Sequence, residues 1–183
     1  MKSAKSQKRL DCIHPNAVLF TSQNKEEKKV NKSTDDLYMK GMEAMSEENY
    51  PKAIECFRAV IAVEPDFALA YCSLAKVHLK GDLPEFAECL LLLAADKDRK
   101  FYCPHSLLGE YYFNNNRMED AIAHYEKAIN IEPVHYASYH GLADIYTKMG
   151  MEEKAQEYHS LLNVVFKIKM IEDEMKETGY KYN

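Results

Sequence analysis

The sequence predicts an all-α solenoid, and three observations carry that prediction. First, AIECFRAVIAVEP at Ala53–Pro65 and AIAHYEKAINIEP at Ala121–Pro133 are near copies set 68 residues apart, twice 34. Half-way between them stands AECLLLLAAD, starting at Ala87, and one further step of 34 reaches Ala155 in AQEYHSLL. Second, four windows (34–67, 68–101, 102–135 and 136–169) bring small residues into register. The eighth position reads Gly41, Ala75, Gly109, Ala143, and the twentieth reads Ala53, Ala87, Ala121, Ala155. Small residues at two fixed places let two backbones approach closely, and a period of this length marks a repeat architecture. Third, turn signals divide each window: Glu48-Asn49-Tyr50-Pro51, Gly81-Asp82-Leu83-Pro84, Asn114-Asn115-Asn116-Arg117 and Met149-Gly150.

Each window therefore reads as helix–turn–helix. In the first halves, the pairs Leu74 and His78, Leu108 and Tyr112, Leu142 and Tyr146 are four apart, on one helical face. No alternating pattern of apolar residues suggests a strand. Gly109 and Ala121 are expected to pack together within their helix pair. After Glu152 the chain runs without Pro or Gly as far as Gly179, which predicts one long helix. Val164, Ile168, Ile171 and Met175 form a single apolar stripe on it, with Glu172, Asp173, Glu174, Lys176 and Glu177 on the other side. The expected role is a cap burying the open end of the stack, the alternative an intermolecular seam in a homodimer.

These units resemble the tetratricopeptide repeats. The third matches best, with Leu108-Gly109, Tyr112, Ala121, Tyr125, Ala128 and Pro133 at the family's positions. The fourth supplies Tyr139, Leu142, Ala143, Tyr146 and Ala155, with His159 and Leu162 in place of the later aromatic and alanine. The first has Gly41, Ala53, Phe57 and Pro65 but Lys40 for Leu. The second has Tyr71, Leu74, Ala75, Ala87, Leu91 and Ala94 but Arg99 for Pro. The resemblance implies a right-handed superhelical solenoid of four repeats over 34–169, whose last helix extends over 152–178 as the expected long C-terminal capping helix.

Composition fits one soluble domain, with 46% hydrophobic and 29% charged residues. The net charge of −5 conceals a basic tail, residues 1–33, on an acidic body. An acidic body does not suit the phosphate backbone, so no nucleic acid is expected on the repeats. The longest apolar run, Cys89 to Ala95, is too short to span a bilayer. The basic start leads into no apolar core, so no secretory signal is expected, and His14-Pro15 interrupts any amphipathic presequence helix. Five cysteines without CxxC suggest a reduced, cytoplasmic setting. The polar tail is expected to be disordered, apart from an apolar island at Cys12–Phe20 that could dock on the body or on a partner.

Catalytic patterns fail in turn. There is no HExxH, no Gly-rich phosphate loop and no GxSxG. His135 and His140, nearest in sequence among seven histidines, do not share a helix face. No enzyme activity, cofactor or metal is expected. In the family, the first helix of each pair lines a concave groove, mainly through its second, fifth, ninth, twelfth and thirteenth positions. Carried over, the resemblance implies groove residues Tyr38, Met42 and Met45 from the first unit (with Asp35 and Ser46), and Leu69, Cys72, Lys76, Leu79 and Lys80 from the second. The third gives Ser106, Glu110, Phe113 and Asn114 (with Cys103), and the fourth His140, Asp144 and Lys148 (with Ala137 and Thr147). Family members that grip the C-terminal carboxylates of chaperones need Lys, Asn, Asn, Lys and Arg at five set places. Here those places hold Tyr38, Met42, Ser73, Cys103 and Leu107, or, one unit on, Cys72, Lys76, Leu107, Ala137 and Gly141. Chaperone tails of that kind are therefore not the expected partner. The expected function is a non-catalytic protein–protein adaptor or scaffold holding a peptide segment. The alternatives are a small dedicated chaperone of the secretion type or a regulatory subunit of an enzyme.

Overall fold

The computed structural model describes residues 34–81 and 84–178, so the basic tail with its Cys12–Phe20 island lies outside the described residues. Among the described residues there are eight α-helices and no strand: α1 (Thr34–Ser46), α2 (Tyr50–Val63), α3 (Ala68–Lys80), α4 (Pro84–Lys97), α5 (Cys103–Asn114), α6 (Met118–Ile131), α7 (Tyr136–Lys148) and α8 (Glu152–Thr178). The chain divides after Arg99 into two compact units of four helices each.

Local chemistry sets the helix ends. Asp35 and Asp36 in the first turn of α1, Glu119 and Asp120 in α6, and Glu152 and Glu153 in α8 sit at the positive end of their helix dipoles. Asn49 caps α2 by accepting a hydrogen bond from the Lys52 amide, and proline occupies the first turn of α2 and α5, where a missing N–H costs nothing. Three of the turns inside the pairs use a left-handed residue at the same place. Glu48 (φ 57°), Asn116 (φ 57°) and Gly150 (φ 70°) each hold the fifteenth position of their window. That conformation is what turns the second helix back on the first.

In the first unit α1 packs on α2, α2 on α3 and α3 on α4, with α1 also approaching α3. The core is Ala53, Phe57 and Val60 of α2, Ala70, Leu74 and Val77 of α3, and Ala87, Leu91 and Ala94 of α4. Leu92, at a position where Arg58, Glu126 and Ser160 are exposed, is half-buried. It packs more deeply than its equivalents and leaves little apolar surface for a second contact. In the second unit α5 packs on α6, α6 on α7 and α7 on α8. Leu108, Ala121, Ala128, Leu142, Ala143 and Ile145 form its core.

The structure gives each repeat position a job. A Cβ on Gly41 would lie 2.6 Å from the Phe57 ring, and one on Gly109 would lie 2.7 Å from the Tyr125 ring. The small eighth residue thus receives the aromatic at the twenty-fourth. The side chain nearest a Cβ on Gly109 is Tyr125, and Ala121, its expected packing partner, is fully buried in the same helix pair. The fourth-position tyrosines answer the prolines two positions before the previous window ends. Tyr71 donates to the Pro65 carbonyl (2.9 Å) and Tyr139 to the Pro133 carbonyl (3.1 Å).

The C-terminal helix departs from expectation in one respect. It runs unbroken over 27 residues, but Ala155, Leu162 and Val165 are its buried residues, not the predicted stripe. Val164 (52% exposed), Ile168 and Ile171 (55%) face solvent, and Met175 is half-buried. The stripe was expected to cap the last repeat, yet it lies on a different side of the helix from the residues that meet α7. None of the helices among the described residues is long and apolar enough to cross a membrane.

Candidate functional site

The predicted groove residues fall on the first helices of the pairs, α1 and α3 in the first unit and α5 and α7 in the second. On α1, Met42 is exposed and Met45 half-buried. A shallow depression along this helix is lined by Asp36, Met39, Lys40, Met42, Glu43 and Ser46. Met39, 64% exposed, is the largest apolar contribution there and was missed because it occupies the sixth position, outside the family's usual set. On α3, Leu69, Lys76 and Lys80 are exposed and Leu79 is half-buried. The first unit therefore offers thioether and aliphatic surface edged by two lysines.

Two predicted residues of this face are corrected. Cys72 is 1% exposed, because α3 is packed between α2 and α4 and approached by α1, so no side at that position is left open. Tyr38 is half-buried and engaged: its hydroxyl and Ser73 Oγ are 2.9 Å apart, and its ring lies 5.6 Å from both Phe57 and Phe67. It ties α1 to α3 and is a packing residue rather than a free anchor.

The second unit is more polar. Glu110 and Asn114 are exposed on α5, and Ser106 and Phe113 are half-buried. On α7, His140 Nδ1 lies 3.0 Å from Asp144. Lys148 reaches back to the end of α5 and the turn after it, donating to Asn116 Oδ1 at 2.9 Å with its ammonium 5.1 Å from the Phe113 ring. A cation over an aromatic face is attracted by the ring's electron density. The floor is Tyr125, held between α5 and α7 because both Gly109 and Gly141 lack a side chain: a Cβ on Gly141 would lie 2.3 Å from Tyr125 Cζ. Burial, with Glu110 and Asp144 nearby, pushes its phenol pKa well up. It stays a neutral phenol at any ordinary pH.

A second cluster lies apart from the predicted positions. His105 of α5 and His124 of α6 meet at 3.1 Å between their Nδ1 atoms. One Nδ1–H must donate to the lone pair of the other, so at most one of the two atoms carries a proton. The Tyr112 ring lies 5.3 Å from the His124 ring, tilted at 46°, with the Arg117 guanidinium 4.3 Å above Tyr112. Burial, then the neighbouring His105 and Lys127, hold His124 down to about 4. His135 and His140 are nearest in sequence but do not share a helix face; the histidines that meet are 19 residues apart, with no motif to announce them.

Tetratricopeptide-repeat family profiles match residues 41–81, 104–133 and 124–157, reaching into all four helix pairs. The chain is a tetratricopeptide-repeat protein. Among curated sequences, this repeat protein is 28% identical over 104 residues to an uncharacterized protein of Haemophilus influenzae, covering 52% of the chain and 54% of the relative. It is 27% identical over 109 residues to the small glutamine-rich tetratricopeptide repeat-containing protein 2 of Mycosarcoma maydis, covering 60% and 31%. The chain thus spans about half of one relative's length and a third of the other's. Among solved structures, MamA matches with a TM-score of 0.65 at 21% identity, over 98% of this chain and 99% of that one. The first tetratricopeptide repeat domain of Spaghetti (RPAP3), bound to the HSP90 peptide SRMEEVD, matches with a TM-score of 0.60 at 21% identity, over 64% and 93%. At these identities the likeness is one of fold.

Proposed function

We propose that this tetratricopeptide-repeat protein is a non-catalytic adaptor that holds a segment of another protein against the first helices of its repeats. The observation that carries the reading is the apolar surface of the first unit. Met39, Met42 and Leu69 stand open to solvent beside Lys76 and Lys80. Methionine adapts its shape to varied partners, and the lysines orient a segment that carries acidic residues. Glu110, Phe113, His140, Asp144 and Lys148 form the corresponding face of the second unit and favour polar or cationic groups. The bound peptide of the RPAP3 domain, SRMEEVD, ends in acidic residues. In this chain the places that would read a C-terminal carboxylate hold Tyr38, Met42, Ser73, Cys103 and Leu107. The ligand is therefore an internal, mainly apolar segment, not such a tail.

Met42→Asp and Leu69→Asp test this reading, because both side chains are exposed enough for the fold to survive. Each is expected to weaken partner binding by about 2 kcal/mol, as loss of an apolar anchor commonly does. The measurement is capture of partners by the full chain, then titration of the captured protein, with circular dichroism as the folding control. Undiminished binding by both well-folded variants would move the site elsewhere.

A further inference from the structure

The stripe on α8 that the other described residues leave open has the layout of a pairing surface. Leu161, Val164, Ile168, Ile171 and Met175 recur at spacings of three and four, the a and d rhythm of a helix that seats a second helix. All but Met175 are more than a third exposed, and the buried residues Ala155, Leu162 and Val165 lie on a different side, so α7 does not compete for the stripe. From Leu161 to Thr178 the stripe is about 26 Å long, at the ordinary rise of an α-helix.

The flanking charges say what covers it. Among the described residues, Lys169 lies 3.9 Å from Glu172 and 3.8 Å from Asp173, and Lys176 lies 3.4 Å from Asp173, all within the helix. Lys167 and Glu174 are exposed along one edge of the stripe and take no part in those pairs. They are opposite in charge and seven residues apart. We propose that the stripe is a self-association seam, on which α8 of a second copy lies antiparallel. In that register Leu161 meets Thr178, Val164 meets Met175 and Ile168 meets Ile171 of the second copy. Lys167 then faces Glu174 of the second copy, twice by symmetry, so that the pattern complements itself. A parallel pair would set Lys167 against Glu172, which Lys169 already engages, and would bring the acidic ends together. Antiparallel packing also opposes the two helix dipoles favourably.

Sedimentation equilibrium of the full chain from about 1 to about 200 µM tests the seam, since an interface of this length is short for a tight dimer. A monomer–dimer equilibrium is expected. Ile168→Asp with Ile171→Asp should leave only monomer, with unchanged helix content by circular dichroism. Lys167→Glu alone and Glu174→Lys alone should each weaken the dimer about tenfold, and the two together in one chain should restore it. A full chain that stays monomeric at the highest concentration overturns the proposal. So does a dimer indifferent to the two aspartates. Restoration of Lys167→Glu by Glu172→Lys instead of Glu174→Lys would make the pair parallel and overturn the register. A monomer in which residues 164–175 nevertheless resist hydrogen exchange would assign the stripe to another segment of this chain, and overturn it as well.

Discussion

Gly141→Val is expected to destabilise the second unit by roughly 3 kcal/mol, the upper part of what overpacking a close contact costs. Mid-helix glycine is normally a weakness, and exchanging it for a better helix former gains up to about 1 kcal/mol. Here the sign reverses. A Cβ at Gly141 would stand 2.3 Å from Cζ and 2.7 Å from the hydroxyl oxygen of Tyr125, and a Cβ at Gly109 blocks the same ring from the other side at 2.7 Å. The ring has nowhere to retreat. Gly81, whose Cβ would meet, among the described residues, the Val77 and His78 carbonyl oxygens at 3.5 and 3.9 Å, supplies the contrast: Gly81→Ala should be nearly silent. Urea denaturation of the three proteins checks both, and combining Gly141→Val with Tyr125→Leu should recover part of the loss. Equal stability of Gly141→Val and Gly81→Ala would show that Tyr125 is not wedged between the two glycines.

The protein should also lose stability as the pH falls through the range of free imidazole. His78, His105, His124 and His135 are all held below the ordinary value of 6.5, with burial the leading cause for each. Arg58 adds to the effect at His78 and Lys127 at His105. At neutral pH each is uncharged in both folded and unfolded chains and contributes nothing. Below about 6.5 the unfolded chain binds the proton and the folded chain does not, so stability drains away until the folded histidine titrates, for His124 at about 4. Full burial would set the His124 share at about 3 kcal/mol; partial exposure of the ring reduces it to about 1–2 kcal/mol. The check is denaturation at pH 7 and pH 4.5 for the parent and His124→Gln. The loss between the two pH values should be smaller in the variant, and an equal loss in both would remove His124 as a cause.

The fold was legible because it is written as a period. Gly41 with Phe57 and Gly109 with Tyr125 are pairs whose positions repeat, and repetition turns a composition into a register. The faces were legible only in part. Met42, Leu69 and Lys76 are exposed as their positions implied, but position says nothing of neighbours, and Cys72 lost its surface to helices on either side. The stripe at Val164, Ile168 and Ile171 failed for the same reason. Periodicity tells which residues share a side of a helix and not whether anything stands opposite. His105 and His124 meet through the pairing of α5 with α6, which joins residues that no local pattern connects.

Within each unit, the contacts run between helices adjacent or next but one along the chain. A chain built this way closes only short loops on its way to the native state, and loop closure is the entropic step that slows folding. Any helix pair can act as the starting point, since none needs a distant segment to complete its core. A pair emerging during synthesis already carries its own small eighth residue and the residue that packs nearest it in the first and third pairs, Phe57 or Tyr125. Assembly can therefore keep pace with translation, one hairpin of helices at a time.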